Sequence, residues 1–313
     1  MTKPDFQMRA DLSPREAVAG HDALAPLLDP AIGPLFRQPL PGEADSAWHG
    51  HVPFAFWLVE AIRPRSIVEL GAHRGVSYLA FCQAVEEAGI EARCMAVDTW
   101  QGDPQAGFYG DEALETLRAF HDPRYGHFSK LRRATFAAAL DAVADGSVDL
   151  LHIDGFHGHE AVRADFTGWL PKLSGRGVVI LHGTNEHRPG FGVRRFMQEL
   201  REAYPAFEFL HAHGLGLVTV GSDPPAAAAA LCRLRDPGQV ALVRDRFAAL
   251  GAIQERLALA EASAAAAAAR IAEVQAAALG AVQDALASRD AAADRAAAIE
   301  ASLAWRLSGP ARR

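Results

Sequence analysis

The chain has 313 residues, half of them hydrophobic, and a formal net charge of -7. That length accommodates one sizeable α/β domain with additional elements, and the acidic balance excludes a general nucleic-acid binder, which presents a basic face. The three cysteines, Cys82, Cys94 and Cys232, form neither a metal motif nor a disulfide framework, the first residues lack the apolar core of a secretory signal, and without alanine no apolar run reaches the ~18 residues of a membrane span, so a cytoplasmic protein without a span is expected.

In chain order, residues 1–50 are rich in proline and glycine and read as an irregular lead-in with short helices. Residues 52–62 (VPFAFWLVEAI) predict an apolar helix that stops before Pro64. From Ser66 the pattern alternates between short β-branched runs and longer helical stretches. The runs are 66–71, 93–99, 130–135, 148–155 and 177–183. The helical stretches are 75–88, 110–121, 136–144, 158–173 and 191–203. This alternation predicts a parallel sheet with crossover helices, and nearly continuous apolar strands fit a sheet covered on both faces. FEFLHAH (207–213) and LGLVTVG (215–221) are too close together for anything but an antiparallel hairpin. After Pro225 the chain turns alanine-rich and predicts a long helix or coiled coil to about residue 304. The expected division is 1–50, 51–222 and 223–313.

In an open parallel sheet, ligands bind beyond the carboxyl ends of the strands. The first strand runs into Glu69-Leu70-Gly71-Ala72-His73-Arg74-Gly75. This spacing differs from the tighter glycine triplet of dinucleotide sites, and its glycines permit close backbone approach. Glu69, Gly71, His73, Gly75 and Ser77 are the candidate cofactor contacts here. The second strand ends at Asp98-Thr99-Trp100, where a carboxylate suits ribose hydroxyls and Trp100 suits an adenine face. Thr135 and Phe136, ending the third, read equally as cofactor neighbours or as a helix cap and a core aromatic.

The fourth strand ends in the densest chemical cluster, His152 to Glu160. Asp154 and His157 emerge at the sheet mouth, where an imidazole can accept a hydroxyl proton and a carboxylate can orient it or hold a metal. His182, ending the fifth strand, is expected beside Asp154. Asp154, His157 and His182 are thus the catalytic candidates, and Asp154 is also a cofactor and metal candidate. Together they make a poor oxygen-rich magnesium site. Loops 100–128 and 184–192, with Phe108, Tyr109, His121, Tyr125 and Arg188, are expected to select the acceptor.

Four segments carry a family resemblance: VELGAHRGVSYLAF, AVDTWQGD, LLHIDGFHGHEAVRADFTGWLPKLSGRGVVILHGT and FGVRRFMQEL. Residues 48–221 resemble the class I S-adenosylmethionine-dependent methyltransferases, in the branch with macrolide-sugar O-methyltransferases and cephalosporin-hydroxylase-like proteins. The resemblance implies a Rossmann-like methyltransferase sheet of five parallel strands and a terminal hairpin, with helices on both faces. It also implies S-adenosylmethionine as cofactor, held by Glu69, Gly71, Gly75 and Asp98, with His157 as general base. Relatives carry an acidic residue where this chain has Gly183, so a divalent metal is doubtful. The ending from Ser302 to Arg312 resembles tails of bacterial glycosyltransferase-associated coiled coils. It points to a sugar or glycan acceptor and to a homo-oligomer or glycan-assembly partner on the last helix. The alternative is a non-catalytic scaffold of the same fold.

Overall fold

The computed structural model describes residue 39 and residues 46–105 and 107–308. Most of the expected lead-in therefore lies outside the described residues. Its end is a 3-10 turn, Ala47–His51, capped by the Ser46 hydroxyl.

Helix α1 (Val52–Ile62) starts with Pro53 in its first turn, where the missing N–H costs nothing. It ends at Arg63, which adopts the left-handed conformation. Residues 52–59 are all buried, as expected for a helix apolar on every side. The alternation follows: β1 (Ser66–Leu70), α2 (Val76–Glu87), β2 (Arg93–Asp98), a short hairpin of β3 (Gly102–Asp103) and β4 (Gly107–Phe108), α3 (Asp111–Tyr125), β5 (Ser129–Arg133), α4 (Phe136–Ala139), β6 (Val148–Ile153), α5 (His159–Trp169), β7 (Leu173–His182), α6 (Val193–Ala203), β8 (Ala206–Phe209) and β9 (Leu215–Thr219). The main sheet has the order β5-β2-β1-β6-β7-β9-β8. Its first five strands are mutually parallel, and β9 runs antiparallel to β7 and β8.

Successive strand residues point to opposite faces, and the sheet has a core on each. Ile67, Leu150 and Val178 belong to one, while Val68, Leu151 and Val179 belong to the other. This is why the strands read as continuous apolar runs. At the amino end of β6, Asp149 ties the sheet to the start of β1. Its carboxylate accepts bonds from the Arg65 backbone, from Arg65 Nε and Nη2 at 2.9 Å, and from Ser174 Oγ.

Some boundaries differ from expectation for local reasons. The 158–173 helix closes at Trp169, and a 3-10 turn around Pro171 leads into β7. β8 stops at Phe209, because Ala212, His213 and Gly214 turn the chain with φ of 46°, 65° and 90°. The β3–β4 hairpin was not expected.

The expected tail from residue 223 divides. Helix α7 (Ala226–Cys232) and the first turns of α8 (Pro237–Ser308) belong to the sheet-bearing unit, which runs through Leu259. Val243 and Phe247 are buried in its core, with the Phe247 ring 5.3 Å from that of Phe54. In the second unit, from Ala260 onward, Ile271, Val274, Leu279, Val282 and Leu286 are exposed. Helix α8 contains an 18-residue window of mean hydropathy 1.3, none of it buried. By length and composition alone it is apolar enough to cross a membrane.

Candidate active site

The site is built on the carboxyl ends of β1, β2, β6 and β7. Beyond β1, Gly71 and Gly75 have φ of 93° and 89°, a region open to glycine and costly to other residues. A Cβ on Gly71 would strike the Asp154 carbonyl, and one on Gly75 the Leu117 side chain. Both glycines thus serve the packing of the loop against β6 and α3. His73 also has positive φ, and its N–H donates to Asp98 Oδ2 at 2.9 Å. Trp100 N–H donates to Asp98 Oδ1 at 2.8 Å, and its indole N–H to the His73 carbonyl at 2.8 Å. Asp98 therefore fastens the two loops together. A carboxylate offers about four lone-pair sites, so two backbone donors leave it further capacity towards the cleft it lines.

That cleft has a volume of about 230 Å³ and is lined by Gly71, His73, Asp98, Thr99 and Tyr109 together with Thr135, Phe136 and Asp154–His157. A second, of about 190 Å³, adjoins it and is lined by Trp48, Gly75, Ser77 and His182. Gly71, His73, Asp154 and His157 line both.

Two candidate contacts are not brought to the cleft. Trp100 is fully buried in the core beneath the loops, so it supports His73 and covers no ligand face. Glu69 is fully buried as well. Its Oε1 accepts from Ser77 Oγ at 2.7 Å, and its Oε2 stands 3.0 Å from Nδ1 of His152, its register partner across β1 and β6. Burial raises the Glu69 carboxyl above its ordinary value, against the pull of His152. Thr135 caps α4, accepting from Ala138 N–H, while also lining the cleft. His121 and Tyr125 are buried in the core of α3 rather than placed for an acceptor, with His121 Nε2 2.7 Å from Ser129 Oγ.

Asp154, His157 and His182 do meet. Asp154 Oδ1 lies 3.2 Å from His157 Nε2 and 3.1 Å from His182 Nδ1. His182 Nε2 lies 3.0 Å from the Ala212 carbonyl, which also accepts from His51 Nε2 at 3.2 Å. Burial opposes ionisation of Asp154, but His182 and His157 outweigh it and hold the carboxyl well below the usual carboxylate range. Burial likewise opposes protonation of His182, and Asp154 overrides it, so the imidazole is raised. Both nitrogens of His182 face acceptors only, so the ring bonded to both is the imidazolium. His51, pushed well down by burial and then by His182, is its neutral neighbour.

His157 is held differently. Its ring stacks on Phe191 with centroids 5.1 Å apart, and its backbone N–H donates to Gln105 Oε1 at 2.9 Å. In the tautomer that donates Nε2–H to Asp154, Nδ1 is the ring's acceptor nitrogen. Gly183, at φ 81°, makes room for it: a Cβ there would lie 2.9 Å from His157 Cδ2. The ring thus fills the space that a side chain at 183 would enter.

Magnesium prefers an octahedral shell of oxygens. Asp154 brings the one carboxylate among these three side chains. Glu186 is engaged elsewhere, by Arg188, His213 and two backbone amides. The donors present do not fit magnesium. They do fit a nucleoside-type ligand, with the acceptor-only Asp98 and the Phe136 ring in one cleft.

Trp48, Gln105 and Phe191 escaped the sequence reading. Trp48 comes from the 3-10 turn before α1 and Gln105 and Phe191 from loops, and only tertiary structure brings them to the site.

Residues 68–184 match the family model described as a methyltransferase domain. An uncharacterized protein of Sinorhizobium fredii is 49% identical over 196 residues, which is 63% of this chain and 22% of that protein. The chain therefore spans less than a quarter of that relative's length. Among solved structures, the O-methyltransferase TomG of Streptomyces achromogenes, in complex with SAM, is 16% identical with a TM-score of 0.43, over 67% of this chain and 91% of that one. A SAH-bound Podospora anserina methyltransferase is 14% identical with a TM-score of 0.44, over 68% and 99%. From the match and the observed strand order together, the chain carries a Rossmann-like α/β sheet whose central segment, 68–184, is similar to the methyltransferase domain.

Proposed function

We propose that this chain is an S-adenosylmethionine-dependent O-methyltransferase whose acceptor is a hydroxyl of a sugar or a glycan-linked group. The observation that carries this reading is the sharing of one floor by two adjoining clefts. Asp98 stands at one end of them, and the Asp154–His157 pair stands where they meet.

Bound S-adenosylmethionine would supply an electrophilic methyl group, leaving alignment and proton removal to the protein. Asp98 would accept from ribose hydroxyls, with Phe136 and Thr135 lining the same cleft. Asp154, drawn towards the His182 cation, fixes the His157 ring with Nε2–H towards itself. His157 Nδ1 would then take the acceptor's hydroxyl proton. Phe191, stacked on His157, and the exposed Phe156 offer flat apolar faces of the kind a sugar ring packs against. The acceptor class rests on the resemblance of residues 48–221 to sugar O-methyltransferases.

Calorimetric titration with S-adenosylmethionine and its demethylated product is the direct test, with binding of both expected. No binding of either removes the proposal. His157→Ala is expected to retain cofactor affinity and lose methyl transfer to hydroxyl-bearing sugars; undiminished transfer removes His157 from the mechanism.

A further inference from the structure

We propose that Asp154, His157 and His182 form a binding site for a single imidazole-preferring divalent cation of the zinc class. Their donor atoms all lie within 4.8 Å of one another. Two ligands on one tetrahedral zinc ion stand about 3.3 Å apart, and Asp154 Oδ1 lies 3.2 and 3.1 Å from the two nitrogens. A cation here would replace the protons that Asp154 now accepts from the two rings.

The surroundings are those of a prepared ligand set. A metal-binding histidine gives its other N–H to a carbonyl or carboxylate, which fixes the ring and the free nitrogen. His182 Nε2 does this with the Ala212 carbonyl at 3.0 Å, leaving Nδ1 for the ion. His157 is clamped by the Phe191 ring and by backbone bonds to Gln105 Oε1 and from Gly192 N–H. The absence of a side chain at Gly183 lets the His157 ring approach, so nitrogen stands where a longer residue would intrude. Two imidazoles and one carboxylate favour zinc, cobalt or nickel over magnesium. The three residues line the second cleft, which leaves a fourth position open to solvent or a small ligand. A bound ion would hold His157 as a ligand, so a filled site and a free base are alternative states.

The test uses the full chain, stripped with a chelator and without any cofactor, so it is independent of the methyl-transfer reading. Titration with Co²⁺ should give the visible bands of a tetrahedral site at one equivalent, displaced by Zn²⁺ but not by millimolar Mg²⁺. His157→Ala and His182→Ala should each weaken Zn²⁺ binding at least about tenfold, while His211→Ala should not. His157 is partly exposed, so its replacement tests the site even if His182→Ala fails to fold. Absence of the one-equivalent Co²⁺ band, or undiminished Zn²⁺ affinity in His157→Ala, overturns the proposal.

Discussion

Replacing Gly183 by alanine should disable the site through His157 alone, leaving Asp98, Thr135 and Phe136 of the cofactor cleft untouched. Position 183 has φ of 81°, and holding a non-glycine residue in the left-handed region costs about 1–2 kcal/mol. The new Cβ would sit 2.9 Å from the His157 ring, which must swing away and give up its bond to Asp154. A hydrogen bond to a charged group contributes about 1.5–3 kcal/mol. Taken together the loss is about 2.5–5 kcal/mol, a fall in Tm of roughly 5–20 °C for a unit of this size. Thermal denaturation of four proteins separates the two parts: wild type, Gly183→Ala, His157→Ala and the double variant. With His157 already removed, the added cost of Gly183→Ala should shrink to its backbone part, giving a coupling of about 1 kcal/mol or more. Methyl transfer should collapse in Gly183→Ala while cofactor affinity stays within about twofold. Strict additivity of the two substitutions, or wild-type transfer in Gly183→Ala, would refute the account of how His157 is placed.

Two further outcomes follow from the scaffold. Burial opposes ionisation of Asp149, but Arg65 and Ser174 prevail and bring its carboxyl down to about 2. Its stabilising contribution is therefore complete above the ordinary aspartate range near pH 4 and lost as pH falls towards 2. Asp149→Asn should flatten that part of the acid-denaturation curve, and an unchanged curve counts against the network. Phe247→Ala should cost about 3–5 kcal/mol by urea denaturation, because the start of α8 is core; a loss below 1 kcal/mol would show those turns to be peripheral.

The sheet was legible because its signals are local. Runs such as SIVEL and VDLLHI are apolar on both faces, and each ends in glycine or an acidic residue where the chain must turn. The terminal hairpin followed from the short gap between its strands. Side-chain direction was not legible. Glu69 and Asp98 both belong to strands that end at the site, yet Glu69 turns into the interior towards His152 while Asp98 reaches the cleft. Trp100 follows Asp98 by two residues, but its positive φ turns the indole beneath the loops. Asp154, His157 and His182 were foreseen as neighbours from adjacent strands. The Ala212 carbonyl that orients His182 was not, because a backbone oxygen leaves no mark in composition. Nor does alanine content distinguish the buried start of the last two helices from their exposed continuation; Phe247 and Val243 do so only once their partners are known.

The turn joining β8 and β9 also bears on how this protein can change. Most hairpin turns accept insertions, which makes them common places to splice a tag or exchange a loop. Here one carbonyl, on Ala212, serves both His51 before the first helix and His182 at the end of β7. The Gly214 and His213 carbonyls also hold the amides of Gly183 and Asn185. A residue added between His211 and Gly214 would move all of these acceptors at once. This part of the surface is therefore closed to insertion, and variation in loop length must enter elsewhere.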